Sequence, residues 1–153
     1  MREEEEMNIR STLFFVAALA TAPASAAPAL VYMTSGCGCC LGWIEHLEEA
    51  GFEVTSKALP MGLLMKKKLD AGLTPDITSC HTAEIDGYVF EGHVPTDLVT
   101  RFLGEKPDAI GLAVPGMPMG SPGMGEVVEE PYDVLLVRRD GTTEAYATIL
   151  PRE

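Results

Sequence analysis

The chain has 153 residues and a formal net charge of −12, from 11 basic and 23 acidic residues. That length fits a single domain. The acidic balance argues against nucleic acid or anionic membranes, which need clustered Lys and Arg, and leaves cations as the natural partners.

At the N-terminus the acidic run "MREEEEM" precedes Asn8-Ile9-Arg10 and the apolar stretch "STLFFVAALATAPASAAPA". An apolar run of about ten residues is too short to cross a bilayer core of about 30 Å. Ala24-Ser25-Ala26 supplies an A-x-A cleavage pattern. Residues 1–26 therefore read as a secretory signal, with Met7 as the expected initiator. Residues 27–153 read as one exported domain without stable membrane insertion.

"ALVYM" (29–33) has the composition of a buried strand, and "TSGCGCC" follows as a loop. "LGWIEHLEEAGF" reads as a helix with Leu41, Ile44 and Leu47 as its apolar stripe and Gly51 just past its end. "EVTSKAL" (53–59) is a second strand. Pro60 then opens a helix in which Met61, Leu64, Met65 and Leu69 recur at helical spacing, with Lys66, Lys67 and Lys68 as a solvated face. This βαβα order favours a parallel strand pair. Pro75 stands where thioredoxin-like folds carry a cis-proline before the third strand.

"SCHTAEIDGYVFEGHV" (79–94) predicts a hairpin about Asp86-Gly87. That turn pairs Ile85 with Tyr88 and Ala83 with Phe90; carried outward, the register sets Cys80 opposite His93. "PTDLVTRFLGEKP" (95–107) is a short helix capped near Thr96, and "GLAVPGMPMGSPGMGE" (111–126) a loop without period. "YDVLLVRRDGTTEAYATIL" (132–150) forms a second hairpin about Asp140-Gly141. The expected fold is α/β and thioredoxin-like: a mixed central sheet, flanking helices and a C-terminal β-hairpin.

The chemistry concentrates in "SGCGCC". Cys37, Cys39 and Cys40 lie within one turn, and Cys80 is the remaining cysteine. Bridges among the first three would close almost no loop and remove little unfolded-state entropy, so a structural framework is a poor explanation. Cys37 and Cys40 have the C-x-x-C spacing of thioredoxin-like domains at the start of a first helix, whose N-terminus favours thiolates. That physics serves disulfide exchange and metal ligation equally. Cys39 would compete with either neighbour during exchange, yet adds a donor to a thiolate cluster. Soft thiolates select Cu(I), zinc or iron–sulfur clusters. C-x-C-C plus one distant cysteine lacks the paired spacing of zinc sites, whereas Cu(I), as one ion or several, tolerates an irregular cluster.

Around the cysteines, His93 is the leading further ligand by its register; the competing reading is a helix-entry residue bonded to backbone. His81 should face away from Cys80 into the core, and His46 lies too far along the helix to share the ion. Trp43 is placed to wall the site against water. Met117, Met119 and Met124, in "PGMPMGSPGM", are either thioether donors or a cap on an apolar surface. The whole pattern favours a metal-binding protein over an enzyme. The alternative is a thiol–disulfide oxidoreductase using Cys37 and Cys40, and redox activity on copper or on disulfides stays open.

"SGCGCCLGWIEHL", "SCHTAEIDGYVFEGHVP" and "GLAVPGMPMGSPGM" together resemble the domain of unknown function 411 family, whose members include CopG-type copper-resistance proteins of the bacterial periplasm. The resemblance runs from Ala29 to the C-terminus. It implies a thioredoxin-like fold and copper binding at Cys37, Cys39, Cys40 and Cys80. It also implies a periplasmic role in copper homeostasis and resistance, beside other copper-handling proteins.

Overall fold

The computed structural model describes residues 27–151; the expected signal segment lies outside them. Among the described residues, seven strands and three helices follow one another. They run β1 (Ala29–Met33), α1 (Gly38–Glu49), β2 (Val54–Ala58), α2 (Met61–Asp70), a 3-10 turn (Pro75–Ile77), β3 (Thr82–Ile85), β4 (Tyr88–Glu91), α3 (Thr96–Glu105), β5 (Gly111–Ala113), β6 (Tyr132–Val137) and β7 (Thr143–Ile149). All strands join one sheet in the order β2-β1-β3-β4-β5-β6-β7. β1–β2 and β4–β5 are parallel, and the other pairs antiparallel. The fold is mixed α/β.

Alternation along the strands assigns the two faces. Ala29, Val31 and Met33 of β1, Ala83 and Ile85 of β3, Phe90 of β4 and Leu112 of β5 share one core with Trp43, Ile44 and Leu47 of α1 and Val99 and Phe102 of α3. Phe102 meets the rings of Tyr88, Phe90 and Tyr146 edge-on, with centroids 5.0, 5.8 and 5.6 Å away. These T-shaped contacts suit the quadrupole of the ring and fix α3 on the sheet. α2 covers the opposite face, where Lys67 and Lys68 reach Glu84, Thr82 and Glu91.

Both hairpins form at the predicted turns. Asp86 and Gly87 take positive φ (50° and 79°), as the tight two-residue turn requires, and Ile85 pairs with Tyr88 and Ala83 with Phe90. The parallel β1–β2 pair also forms.

Several expectations fail for identifiable reasons. Leu41 is 49% exposed, because α1 buries Cys40 and Trp43 beside Ile44 and Leu47 and so turns Leu41 outward. Met61 and Leu69 are exposed, and the buried face of α2 is Leu64 with Lys68. Apolar periodicity misplaces this face because the strands beneath it present Thr82 and Glu91. Lys68 is therefore buried, not solvated. Thr96 opens α3 rather than capping it; Pro95 holds the cap position. Pro75 opens the 3-10 turn through a trans peptide. β5 lies inside the stretch read as loop; three residues are too few to show a period.

Candidate metal centre

β1 ends at Met33, and its antiparallel neighbour β3 begins at Thr82, opposite Tyr32. The loop after β1 and the turn before β3 therefore meet at one end of the sheet. β4 finishes at the same end, since Glu91 pairs with Thr82, and β5 runs parallel to β4, delivering the methionine-containing loop there.

Cys37 is the N-cap of α1, while Cys39 and Cys40 lie in its first turn. Cys40 is buried, and Cys37, Cys39 and Cys80 are half-buried. One sulfur from each of the four lies within 4.8 Å of all the others. Cys39 Sγ is 3.5 Å from Cys37 Sγ and 3.7 Å from Cys80 Sγ. Cys37 and Cys40 are joined as a disulfide.

The spacing fits a soft metal. Metal–sulfur bonds of about 2.3 Å in a tetrahedral arrangement put sulfurs about 3.8 Å apart. The Cys39 pair distances already meet that value, and opening the disulfide would supply the other two donors. The thiolate-favouring terminus of α1 serves Cys37, Cys39 and Cys40, but Cys80 lies off the helix. Burial, reinforced by the hydrogen bond with Cys39, pushes the Cys80 thiol up to about 11.

His93 occupies a more specific place than its register suggested. The β3–β4 ladder ends at Thr82–Glu91, and Gly92, at φ 71°, bends the chain away, so Cys80 and His93 are not a strand pair. His93 is buried, and its Nδ1 lies 2.8 Å from the Pro122 carbonyl oxygen. A carbonyl can only accept, so Nδ1 carries the proton and Nε2 keeps its lone pair. That Nε2 is buried without a hydrogen-bond partner among the described residues. It is outside the group formed by the four sulfurs.

His81 is fully buried, stacks on Trp43 at 4.4 Å between centroids and meets His93 edge-on at 5.0 Å. Among the described residues, neither of its ring nitrogens has a hydrogen-bond partner. Burial, with His93 and Lys68 adding to it, drives its pKa down to about 3. Trp43 is also fully buried and donates Nε1–H to Val94 O at 2.8 Å, tying α1 to the segment that carries His93.

The loop after β5 is organised by its own turns, including Met124 N–H to Ser121 O at 2.8 Å and Ser121 Oγ to Pro118 O at 2.6 Å. It seats on α1 at Gly123, where a Cβ would come within 2.5 Å of Cys39 O and 2.8 Å of Trp43 N. Only glycine allows that approach, and its φ of 88° excludes most other residues as well. Met117 and Met119 are 52% and 53% exposed, and Met124 is half-buried. His46 lines an open cleft of about 550 Å³ with Asp97, Glu126 and Tyr132; none of the cysteines lines it.

Sequence reasoning missed the polar group under Cys80: Lys68, Glu91, Thr82 and Ser79. A signal was present, because Lys68 follows Leu64 by four residues and so shares its buried face.

A mixed α/β domain with four convergent cysteine sulfurs defines a cysteine-cluster protein. The model of the family described as "Protein of unknown function, DUF411" matches residues 77–124. Two solved structures, named copper resistance protein CopG forms 1 and 2, are each 38% identical to the chain. They superpose with TM-scores of 0.74 and 0.72, covering 82% and 81% of this chain and 98% of each of theirs. No curated protein matches. The chain belongs to the DUF411 family, together with these CopG-type proteins.

The buried histidine makes stability depend on pH. Folded His81 stays neutral down to about pH 3, whereas an imidazole in the unfolded chain protonates near 6.5. Between these values the unfolded state binds the extra proton, so stability falls as pH drops below 6.5. The full effect from this residue is roughly 5 kcal/mol. His81→Phe, which keeps a ring against Trp43, should flatten the decline in melting temperature between about pH 7 and pH 4. Equal acid slopes in both proteins would refute this.

Proposed function

We propose that this protein is an exported, periplasmic copper-binding protein that holds Cu(I), as one ion or several, in a cluster of Cys37, Cys39, Cys40 and Cys80 thiolates. The observation that carries the reading is the convergence of four sulfurs within 4.8 Å in a chain 38% identical to proteins named for copper resistance. Thiolates are the donors that select Cu(I) over harder ions. The buried lone pair of His93 Nε2 makes that residue a further candidate donor, its ring oriented by the Pro122 carbonyl. Met117 and Met119 are assigned a peripheral role, as exposed thioethers that meet incoming copper. We read the β2-β1-β3-β4 portion of the sheet, with α1 following β1, as thioredoxin-like.

Export rests on the apolar segment and Ala24-Ser25-Ala26; among the described residues, no helix is long and apolar enough to cross a membrane. The biological role would be copper homeostasis and resistance, with exchange to other copper-handling proteins. N-terminal sequencing of the protein recovered from the cell envelope should give Ala27 as the first residue. A protein there that still begins at Met1 or Met7 would contradict export by a cleaved signal.

The Cys37–Cys40 disulfide supports a second reading, a thiol–disulfide oxidoreductase. Both readings need the same pair reduced, which takes two electrons and two protons from an external dithiol. They differ over Cys39. In a cluster, Cys39→Ser should lower Cu(I) affinity by at least about tenfold, as Cys37→Ser, Cys40→Ser and Cys80→Ser do. In an exchange enzyme, Cys39→Ser should leave disulfide reduction intact while Cys37→Ser and Cys40→Ser abolish it. Competition titration with a Cu(I) chelator and a disulfide-reduction assay on the same variants decide between them. Unchanged copper affinity in Cys39→Ser would sink the cluster.

A further inference from the structure

The face of the sheet under α2 contains an ion pair that the proposed copper chemistry does not use. The side chains of Lys68 and Glu91 are 2% and 0% exposed, with Nζ 2.5 Å from Oε1. Lys68 Nζ also donates to Thr82 Oγ1 at 2.8 Å, and Thr82 Oγ1 donates to the other Glu91 oxygen. The carboxylate accepts one more bond, from the backbone N–H of Ser79 at 2.5 Å. Ser79 Oγ in turn donates to the carbonyl of Gly116, at the root of the methionine-containing loop.

Stability is a weak reason for such a pair. Removing two charges from water costs several kcal/mol each, and apolar residues of the same volume often serve as well. Position gives a better reason. Cys80 follows Ser79 directly and lies between the 3-10 turn and β3, outside both. The close approach of Gly92 to Ser79 is built around the same turn: a Cβ on Gly92 would fall 2.7 Å from Ser79 Cβ and 2.6 Å from Val114 O.

We infer that Lys68, Glu91 and Thr82 form a clasp that grips the Ser79 amide and thereby holds Cys80 Sγ against Cys39 Sγ in the metal centre. Glu91 is the grip. Lys68 and Thr82 fix both its oxygens, so the carboxylate cannot rotate away from the Ser79 N–H. These are positioning residues, since none of them is assigned as a ligand.

This inference rests on the copper reading, but part of its test does not. In metal-free, reduced protein, the Ser79 amide should show the downfield proton shift and slow exchange of a charge-assisted hydrogen bond. Replacing the pair by apolar residues, Lys68→Met with Glu91→Leu, should abolish both signs while the rest of the amide spectrum persists. Glu91→Gln, which keeps one acceptor, should give an intermediate shift and serves where the apolar pair does not melt cooperatively. An unaltered Ser79 amide in these variants would overturn the clasp whatever the protein binds.

The second arm is a double-mutant cycle on Cu(I) affinity. The clasp variant should lose about tenfold or more in the native background, the scale of one charge-assisted hydrogen bond, and nothing further in Cys80→Ser. Equal losses in both backgrounds would overturn the coupling to Cys80. Absence of Cu(I) binding by the native protein would instead overturn the copper reading and leave the amide result standing.

Discussion

The antiparallel pairing of β1 with β3 is the constraint on which the centre depends. The end of β1 faces the start of β3, as Tyr32 against Thr82, so the Cys37–Cys40 loop and Cys80 meet although four tens of residues separate them in the chain. Each later element is delivered to that same end by its own pairing. β4 brings Gly92 and His93, and parallel β5 brings the loop that seats Gly123 on α1. Slipping β3 by one residue would turn Thr82 and Ala83 to the wrong faces and carry Cys80 away from Cys39.

Around this meeting point the protein buries groups that are costly to bury. His81, His93, Lys68 and Glu91 are all essentially inaccessible. Lys68 and Glu91 satisfy one another, whereas three imidazole nitrogens have no hydrogen-bond partner among the described residues. Unsatisfied buried polar atoms are uncommon in folded proteins and concentrate where function requires them. The imidazoles lie on the sulfur side of the sheet with Trp43, and the ion pair lies under α2. The turn bearing Cys80 is thus bordered by polar groups on both faces.

Much of this was legible in the sequence, and what was not has physical causes. The two turn dipeptides fixed both hairpins because left-handed backbone positions admit few residues. Strand, loop and helix about "SGCGCC" were readable from short, distinct patterns. That Cys80 joins the loop was implied by the family resemblance and by no local pattern, and the register argument for His93 stopped holding where Gly92 leaves the ladder. The buried face of α2 misled because periodicity equates burial with apolarity, and Lys68 breaks that equation by finding a carboxylate in the sheet. Long-range polar pairing of this kind leaves no local trace beyond the four-residue spacing from Leu64.

X-ray absorption at the copper edge is the most direct test of the central claim, that the four sulfurs form one soft-metal centre. Reduced protein loaded anaerobically with Cu(I) should give a first coordination shell made of sulfur, and Cys80→Ser should lower its sulfur count. A first shell dominated by nitrogen or oxygen, or one unchanged in Cys80→Ser, would contradict the account.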